Sequence, residues 1–388
     1  MDSAAFTANS PGHLTRTPEG HQAFVPGKLP PALELTPQLV ARLTGAANAI
    51  GLLAGTGRNI SNPALLINPY LRREAVLSSR IEGTVSTLAD LYQDEAVGSA
   101  QRQDVAEVRN YLIAHEYGLE RLKTLPLSLR LLREVHAKLM AGVRGAGRHP
   151  GHFRSYQNWI ARDPRALIED ATYVPPPKAE MTDGLRDLER FLHSDAVSPL
   201  LMAALAHYQF EALHPFGDGN GRMGRLLISL ILHEKGLLPQ PLLYLSAYFE
   251  RTRAEYYERL LRVSTDGDWQ GWLIYFLAGV EVQAHAAVAD AERLLDLQAR
   301  YHERVTQDKA RLTTRSLVDE LFVNPYVTAR RAAAILEVAD PTARAAIGDL
   351  ARLGILKEVT GRKWGQLFLA TEILDAARGN TDPDVGGP

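Results

Sequence analysis

The stretch that most constrains how this chain folds is LHPFGDGNGRMGR, residues 213–225. On its amino side SPLLMAALAHYQFEA repeats apolar residues at helical spacing, and on its carboxyl side RLLISLILHEKG does the same until Gly236 stops it. The stretch is therefore the joint of a helix-loop-helix. Within thirteen positions it gathers a histidine, an aspartate, four glycines and two arginines. A plain turn needs the glycines but not the charges.

The residue types fit a site for a strongly anionic ligand. Successive N–H groups of GDGNG curl around an anion, since glycine allows positive φ and brings no obstructing side chain. The following helix offers its amino end to the same anion. Arg222 and Arg225, three apart, fall on neighbouring turns of one face and grip phosphate oxygens as charge-assisted forks. Asp218 supplies the hard oxygen that Mg²⁺ prefers, and His214, at the end of the preceding helix, has an imidazole suited to accept a hydroxyl proton. Taken singly, each residue has a blander reading: Gly and Asn turn the chain, Asp218 caps a helix, His214 packs. The combination is harder to explain that way. A transition-metal site on His207, Glu211 and His214 lacks the HExxH spacing and leaves both arginines without a role.

With 388 residues, 46% of them hydrophobic, the chain has material for two or three domains and a sizeable core. Its 43 basic and 45 acidic residues leave a formal charge of −2, so no global field draws it to nucleic acid or an anionic membrane. The lack of cysteine excludes disulfides, thiolate catalysis and cysteine-ligated zinc. No secretory signal pattern opens the sequence, and no apolar stretch reads as long enough to span a bilayer. No membrane contact and a cytoplasmic location are the expectation.

Along the chain, residues 1–31 lack periodicity and are rich in Pro, Gly, Ser and Thr, which predicts a disordered arm. An N-terminal helical region follows over 32–120, then a helical core over 121–280 and a connecting helix over 281–310. Inside the core, GHFRSYQNWIARDPRALIEDATYVPPPKAEM predicts an extended hairpin and loop. Residues 311–375 read as helices, then two strand-like runs joined by GRKWG, the order of a winged helix-turn-helix; 376–388 read as a disordered tail.

HPFGDGNGRMGR resembles the HPFx[DE]GNGRxxR signature of Fic-domain proteins at every defined position. The resemblance implies a mainly α fold: a Fic-type helical bundle with a β-hairpin flap, here followed by the winged helix-turn-helix. It implies AMPylation, the transfer of AMP from ATP to a Ser, Thr or Tyr hydroxyl of a target protein with release of pyrophosphate. By position, His214 resembles the general base, Phe216 the residue anchoring the loop and Asp218 the Mg²⁺ ligand. Gly219, Asn220, Gly221, Arg222, Met223, Gly224 and Arg225 resemble the segment that holds the phosphates. Tyr173, Val174 and Pro175 resemble the flap that pairs with an extended target. Tyr256, Leu260 and Ser264 are the nearest counterparts of the adenine pocket, although aromatics at helical spacing also read as core.

Far upstream, SSRIEG fits the family's inhibitory pattern [ST]xxxE[GN] at Ser78, Glu82 and Gly83. The resemblance implies that Glu82 pairs with Arg225 and so competes with the terminal phosphate. Some relatives move other groups, or remove AMP through the inhibitory glutamate, and those alternatives stay open. A further alternative is a DNA-binding regulator working through the tail, with Arg362 and Lys363 on the wing. Residues 311–375, however, carry nine Lys/Arg against eight Asp/Glu, a weak footprint for a phosphate backbone. Protein docking or homodimerisation is the favoured role of the tail.

Overall fold

A computed structural model describes residues 1–58, 64–98, 102–161, 163, 165–238 and 240–379. The molecule is mainly α-helical. It opens with a hairpin, β1 (Gly12–Arg16) paired antiparallel to β2 (Gln22–Pro26). Seven helices of the N-terminal block and the first part of the core follow, interrupted by a long loop between the fifth and sixth. They are α1 (Pro37–Arg58), α2 (Ala64–Ile81), α3 (Leu88–Val97), α4 (Gln103–Leu122), α5 (Leu129–Leu139), α6 (Lys178–Leu192) and α7 (Pro199–Leu213). Next come α8 (Asn220–Glu234), α9 (Ser246–Arg251), α10 (Arg253–Asp266) and α11 (Trp269–Gln307).

Local signals set many of these boundaries. Thr87 and Asp90 close a capping box at the start of α3, which ends at Gly98 with φ of +73°. Ser128 caps α5, and Pro199 opens α7, where its missing N–H costs nothing. Helices α7 and α8 are buried almost all round, as their continuous apolar runs require. They pack against each other at the centre, with α4, α5 and α11 around them.

Several expectations need correction. The first 31 residues are not a disordered arm: the β1–β2 hairpin is docked, with Phe24 fully buried in the main core. The Thr7 amide donates to Thr265 O at 2.8 Å and Ser10 Oγ to Ser264 O at 2.6 Å. No helix boundary lies at residue 280 or 281, because α11 is one helix of 39 residues that carries core and connector together. By length and composition, α1 and α11 are also apolar enough to cross a membrane, contrary to the sequence reading. The two helices lie along each other, and core helices of soluble proteins meet the same criterion.

The tail comprises α12 (Leu312–Val323), β3 (Tyr326–Thr328), α13 (Ala329–Ile335), α14 (Asp340–Arg352), β4 (Lys357–Glu358), β5 (Leu367–Leu369) and α15 (Thr371–Arg378). Its strands form an antiparallel sheet in the order β3-β5-β4. Helix α15 extends through residues 376–378 of the expected disordered tail, and 380–388 lie outside the described residues. This region packs on α2 and α3: Asn324 Nδ2 donates to Tyr92 O at 3.0 Å and Gln93 Nε2 to Tyr326 Oη at 3.2 Å.

Candidate functional site

The joint between α7 and α8 is held by its own side chains. His214 ends α7 in the left-handed region, φ +45°, a costly conformation for a residue with a Cβ. Asn220 then staples the loop: its Oδ1 accepts from Phe216 N at 2.8 Å and its Nδ2 donates to Phe216 O at 2.9 Å. Gly219, φ +75°, turns the chain into α8. Phe216 is fully buried and lies flat on the ring of His136, centroids 3.7 Å apart. That histidine accepts from Gly151 N through Nδ1, so Nε2 carries the proton donated to Asp218 O, both at 2.9 Å.

A second layer comes from the long loop between α5 and α6. Arg154 donates to His214 O at 3.0 Å and to Pro176 O at 2.6 Å. Asn158 Nδ2 donates to His214 O at 3.2 Å and Phe216 O at 3.1 Å. Burial above all, helped by Arg154, lowers the pKa of His214 to about 4. At neutral pH the imidazole is therefore uncharged and able to accept a proton.

At the start of α8 the two arginines are buried and face carboxylates from the N-terminal block. Arg225 Nε donates to Ser78 Oγ at 2.9 Å, while Nη2 reaches Ser78 O and Glu82 Oε1, each at 2.8 Å. Burial works against the charge on Glu82, but Arg225 beside it and Arg222 beyond hold its carboxyl below the usual carboxylate range. A Cβ on Gly221 would sit 2.2 Å from Glu82 Oε1, so only glycine lets the carboxylate settle on this helix end. Gly83, φ +86°, makes the turn that presents it. Glu82 thus pairs with the Arg225 guanidinium beside Gly221, at the amino end of α8. Nearby, Glu211 is pushed up to about 8, chiefly by burial.

Not every expected residue faces this site. Met223 is fully buried in the core, and Gly224 is pressed against Glu211 and His207 inside α8. Tyr256 is also core: its hydroxyl bonds His207 Nε2 at 2.8 Å and its ring stacks on Phe249. His207 Nδ1 bonds Gly224 O, which leaves that ring no free nitrogen for a metal. Ser264 is buried with its hydroxyl on Tyr208, and Leu260 is only partly buried. Both Tyr256 and its exposed neighbour Tyr257 feel the charges of Glu82 and Arg225.

The flap differs from the expected hairpin as well. Among the described residues it closes through one bridge, Ile160 to Tyr173, with no regular strands. Tyr173, Val174 and Pro175 are buried, and the Val174 carbonyl accepts from Phe24 N of β2 at 3.0 Å. That edge is already paired within the chain. Asp218 is partly exposed in the loop before α8, and no group of three or more His, Asp or Glu residues capable of holding a metal occurs among the described residues. One carboxylate still fits Mg²⁺, which takes most of its ligands from phosphates and water. The sequence reading missed Glu107, His136, Arg154 and Asn158; an Arg and an Asn amid the aromatics of GHFRSYQNW were the available signal for two of them.

Two regions of the chain match family models. Residues 40–120 match the Fic/DOC family N-terminal model and residues 126–232 the Fic/DOC family model. The protein adenylyltransferase Fic of Drosophila virilis is 28% identical over 196 residues, 48% of this chain and 36% of that protein. Protein adenylyltransferase fic-1 of Caenorhabditis briggsae is 32% identical over 149 residues, 38% of this chain and 26% of that protein. The chain thus spans about a third of the length of these relatives. Among solved structures, a Fic family protein from Desulfovibrio desulfuricans G20 superposes with a TM-score of 0.58 at 20% identity, covering 88% of this chain and 98% of that one.

Proposed function

Because the chain carries the Fic/DOC N-terminal region and the Fic/DOC domain, we propose that it is a protein adenylyltransferase restrained by its own Glu82. The observation that carries this reading is the Glu82 carboxylate seated on Arg225 at 2.8 Å, at the amino end of α8. A carboxylate so placed marks where a terminal phosphate sits. The curated relatives bear the name protein adenylyltransferase, which supports ATP as the ligand.

The chemistry follows from the residues around that point. Arg222, Arg225 and the N–H groups of Gly219, Asn220 and Gly221 hold the β and γ phosphates and so fix the line of attack on the α phosphorus. Neutral His214 takes the proton of a Ser, Thr or Tyr hydroxyl as that oxygen bonds to the α phosphorus. The bond from the α phosphorus to the bridging oxygen breaks, and pyrophosphate leaves with its charge balanced by the two arginines. Asp218 would hold a Mg²⁺, which would supply charge neutralisation to the phosphates. With Glu82 in place, the γ phosphate loses Arg225 and the nucleotide is misaligned.

The target's extended segment pairs elsewhere than at Val174, whose carbonyl already accepts from β2. The near balance of charge in residues 311–375 favours a protein partner for the tail over DNA. Incubation with labelled ATP, Mg²⁺ and lysate tests the reading. Glu82→Gly is expected to raise labelling of itself or of a target at least about tenfold, on the order of the 1.4 kcal/mol or more that one charge-assisted contact supplies. Labelling no greater than wild type removes Glu82 from the regulatory role. A mass increment other than that of AMP assigns a different transferred group.

A further inference from the structure

Arg222 and Arg225 each face a carboxylate, but the two acids are held very differently. Glu82 lies in a turn, and its side chain keeps 33% of its exposure. Glu107 belongs to the interior of α4, and its side chain keeps 1%. One can be displaced by an incoming phosphate. The other cannot leave without unpacking a helix.

The contacts of Glu107 are divided between the ligand side and the inhibitory side. Its Oε2 accepts from the Thr84 hydroxyl at 2.8 Å and faces Arg222 Nη1 at 3.4 Å. Its Oε1 faces Arg144 Nε at 3.5 Å. Thr84 stands two residues beyond Glu82, and its amide closes the same turn on Ser79 O at 3.1 Å. Arg222 is otherwise thinly held: Nη2 rests against Met140 Sδ at 3.5 Å, and Nε is buried without a partner. A buried guanidinium needs a fixed counter-charge to hold one orientation, and Glu107 is the carboxylate in that place.

We infer that Glu107 is a positioning residue that aims Arg222 at the phosphates and, through Thr84, ties the Glu82 turn to the same arginine. This rests on the proposed nucleotide site and adds to it a coupling between two elements. One carboxylate oxygen serves both partners. When the Glu82 turn withdraws, the Thr84 hydroxyl goes with it, and Oε2 is released to close on Arg222. Withdrawal of the inhibitor and alignment of the second arginine are then one event.

The experiment has two arms, and both use the full-length chain. In the first, amide hydrogen exchange of residues 82–84 is compared in wild type, Thr84→Val, Thr84→Ser and Glu107→Gln without nucleotide. Thr84→Val and Glu107→Gln are expected to exchange about tenfold faster, the scale of one lost hydrogen bond to a charged group, while Thr84→Ser stays at the wild-type rate. In the second arm, Glu107→Gln is placed on the Glu82→Gly background, where the inhibitor is absent. There the calorimetric Kd for ATP is expected to rise about tenfold, and kcat to fall as well, because a misaimed Arg222 balances less of the leaving group's charge. Unchanged exchange in both isosteric variants overturns the coupling, and an unchanged Kd for ATP overturns the orienting role. Failure of the parent Glu82→Gly protein to bind ATP at all counts against the proposed function, and the exchange arm alone then decides the coupling.

Discussion

Residues 214–225 carry a reciprocal staple of their own, to which His136, Arg154 and Asn158 add bonds from outside, whereas residues 153–176, beyond their internal Ile160–Tyr173 bridge, are tied to the loop and to the N-terminal hairpin. In the first stretch Asn220 closes on Phe216 in both directions and Gly219 turns into α8. In the second, Arg154 and Asn158 reach to the backbone of residues 213–216, and Val174 pairs with β2 some 150 positions earlier. The loop is a preformed cradle. The flap packs on β2 through Phe24, so its stability depends in part on the N-terminal hairpin.

The largest test of this contrast is His214→Ala, expected to lower transfer by about 10²- to 10⁴-fold while ATP binding and thermal stability stay near those of the parent. Undiminished labelling would remove His214 from the chemistry. Next is Phe24→Ala, which deletes a fully buried ring lying edge-on to Tyr173. It should cost about 3–5 kcal/mol in denaturant unfolding and expose the flap to protease before the loop. Equal loss of protection in both stretches would break the comparison. Asn220→Ala should cost about 2 kcal/mol, because two reciprocal bonds go and the buried Phe216 N–H is left unpaired, and here protection should fall first around residue 216.

The smallest effect is that of a single histidine on the pH dependence. Burial lowers the pKa of His115 and His207 to about 3 and of His136 and His214 to about 4. Each ring binds a proton more readily in the unfolded chain, so stability is full above the ordinary histidine value and declines as pH falls toward the folded values. A loss on the order of 1 kcal/mol per histidine between pH 7 and pH 5.5 is expected. His136→Phe keeps the flat contact with Phe216 and should remove one quarter of that slope; an unaltered slope would show that His136 does not titrate with unfolding.

What was legible in the sequence divides along the same line. The loop could be read because its determinants are local: glycines where φ is positive, an Asn within reach of Phe216, a helix amino end after them. Glu82 could be read because it stands at a fixed place after Ser78. The hairpin could not, since nothing in MDSAAFTANSPGHLTRTPEGH is periodic and its order comes from Thr265, Ser264 and Val174. Glu107 carries no signal of its own, because an acid within a helix is ordinarily solvated, and Arg222 lies 115 positions away. Tyr256 is expected in the adenine pocket, but its ring is buried; the next position, about 100° round the helix, carries the exposed ring of Tyr257.

The account depends above all on the amino end of α8 being a phosphate site that Glu82 fills. Titration calorimetry with ATP and Mg²⁺ on wild type and Glu82→Gly measures this directly. Binding that is at least about tenfold tighter in the variant is the expected result. The account is contradicted if neither protein binds the nucleotide, or if the two bind it equally.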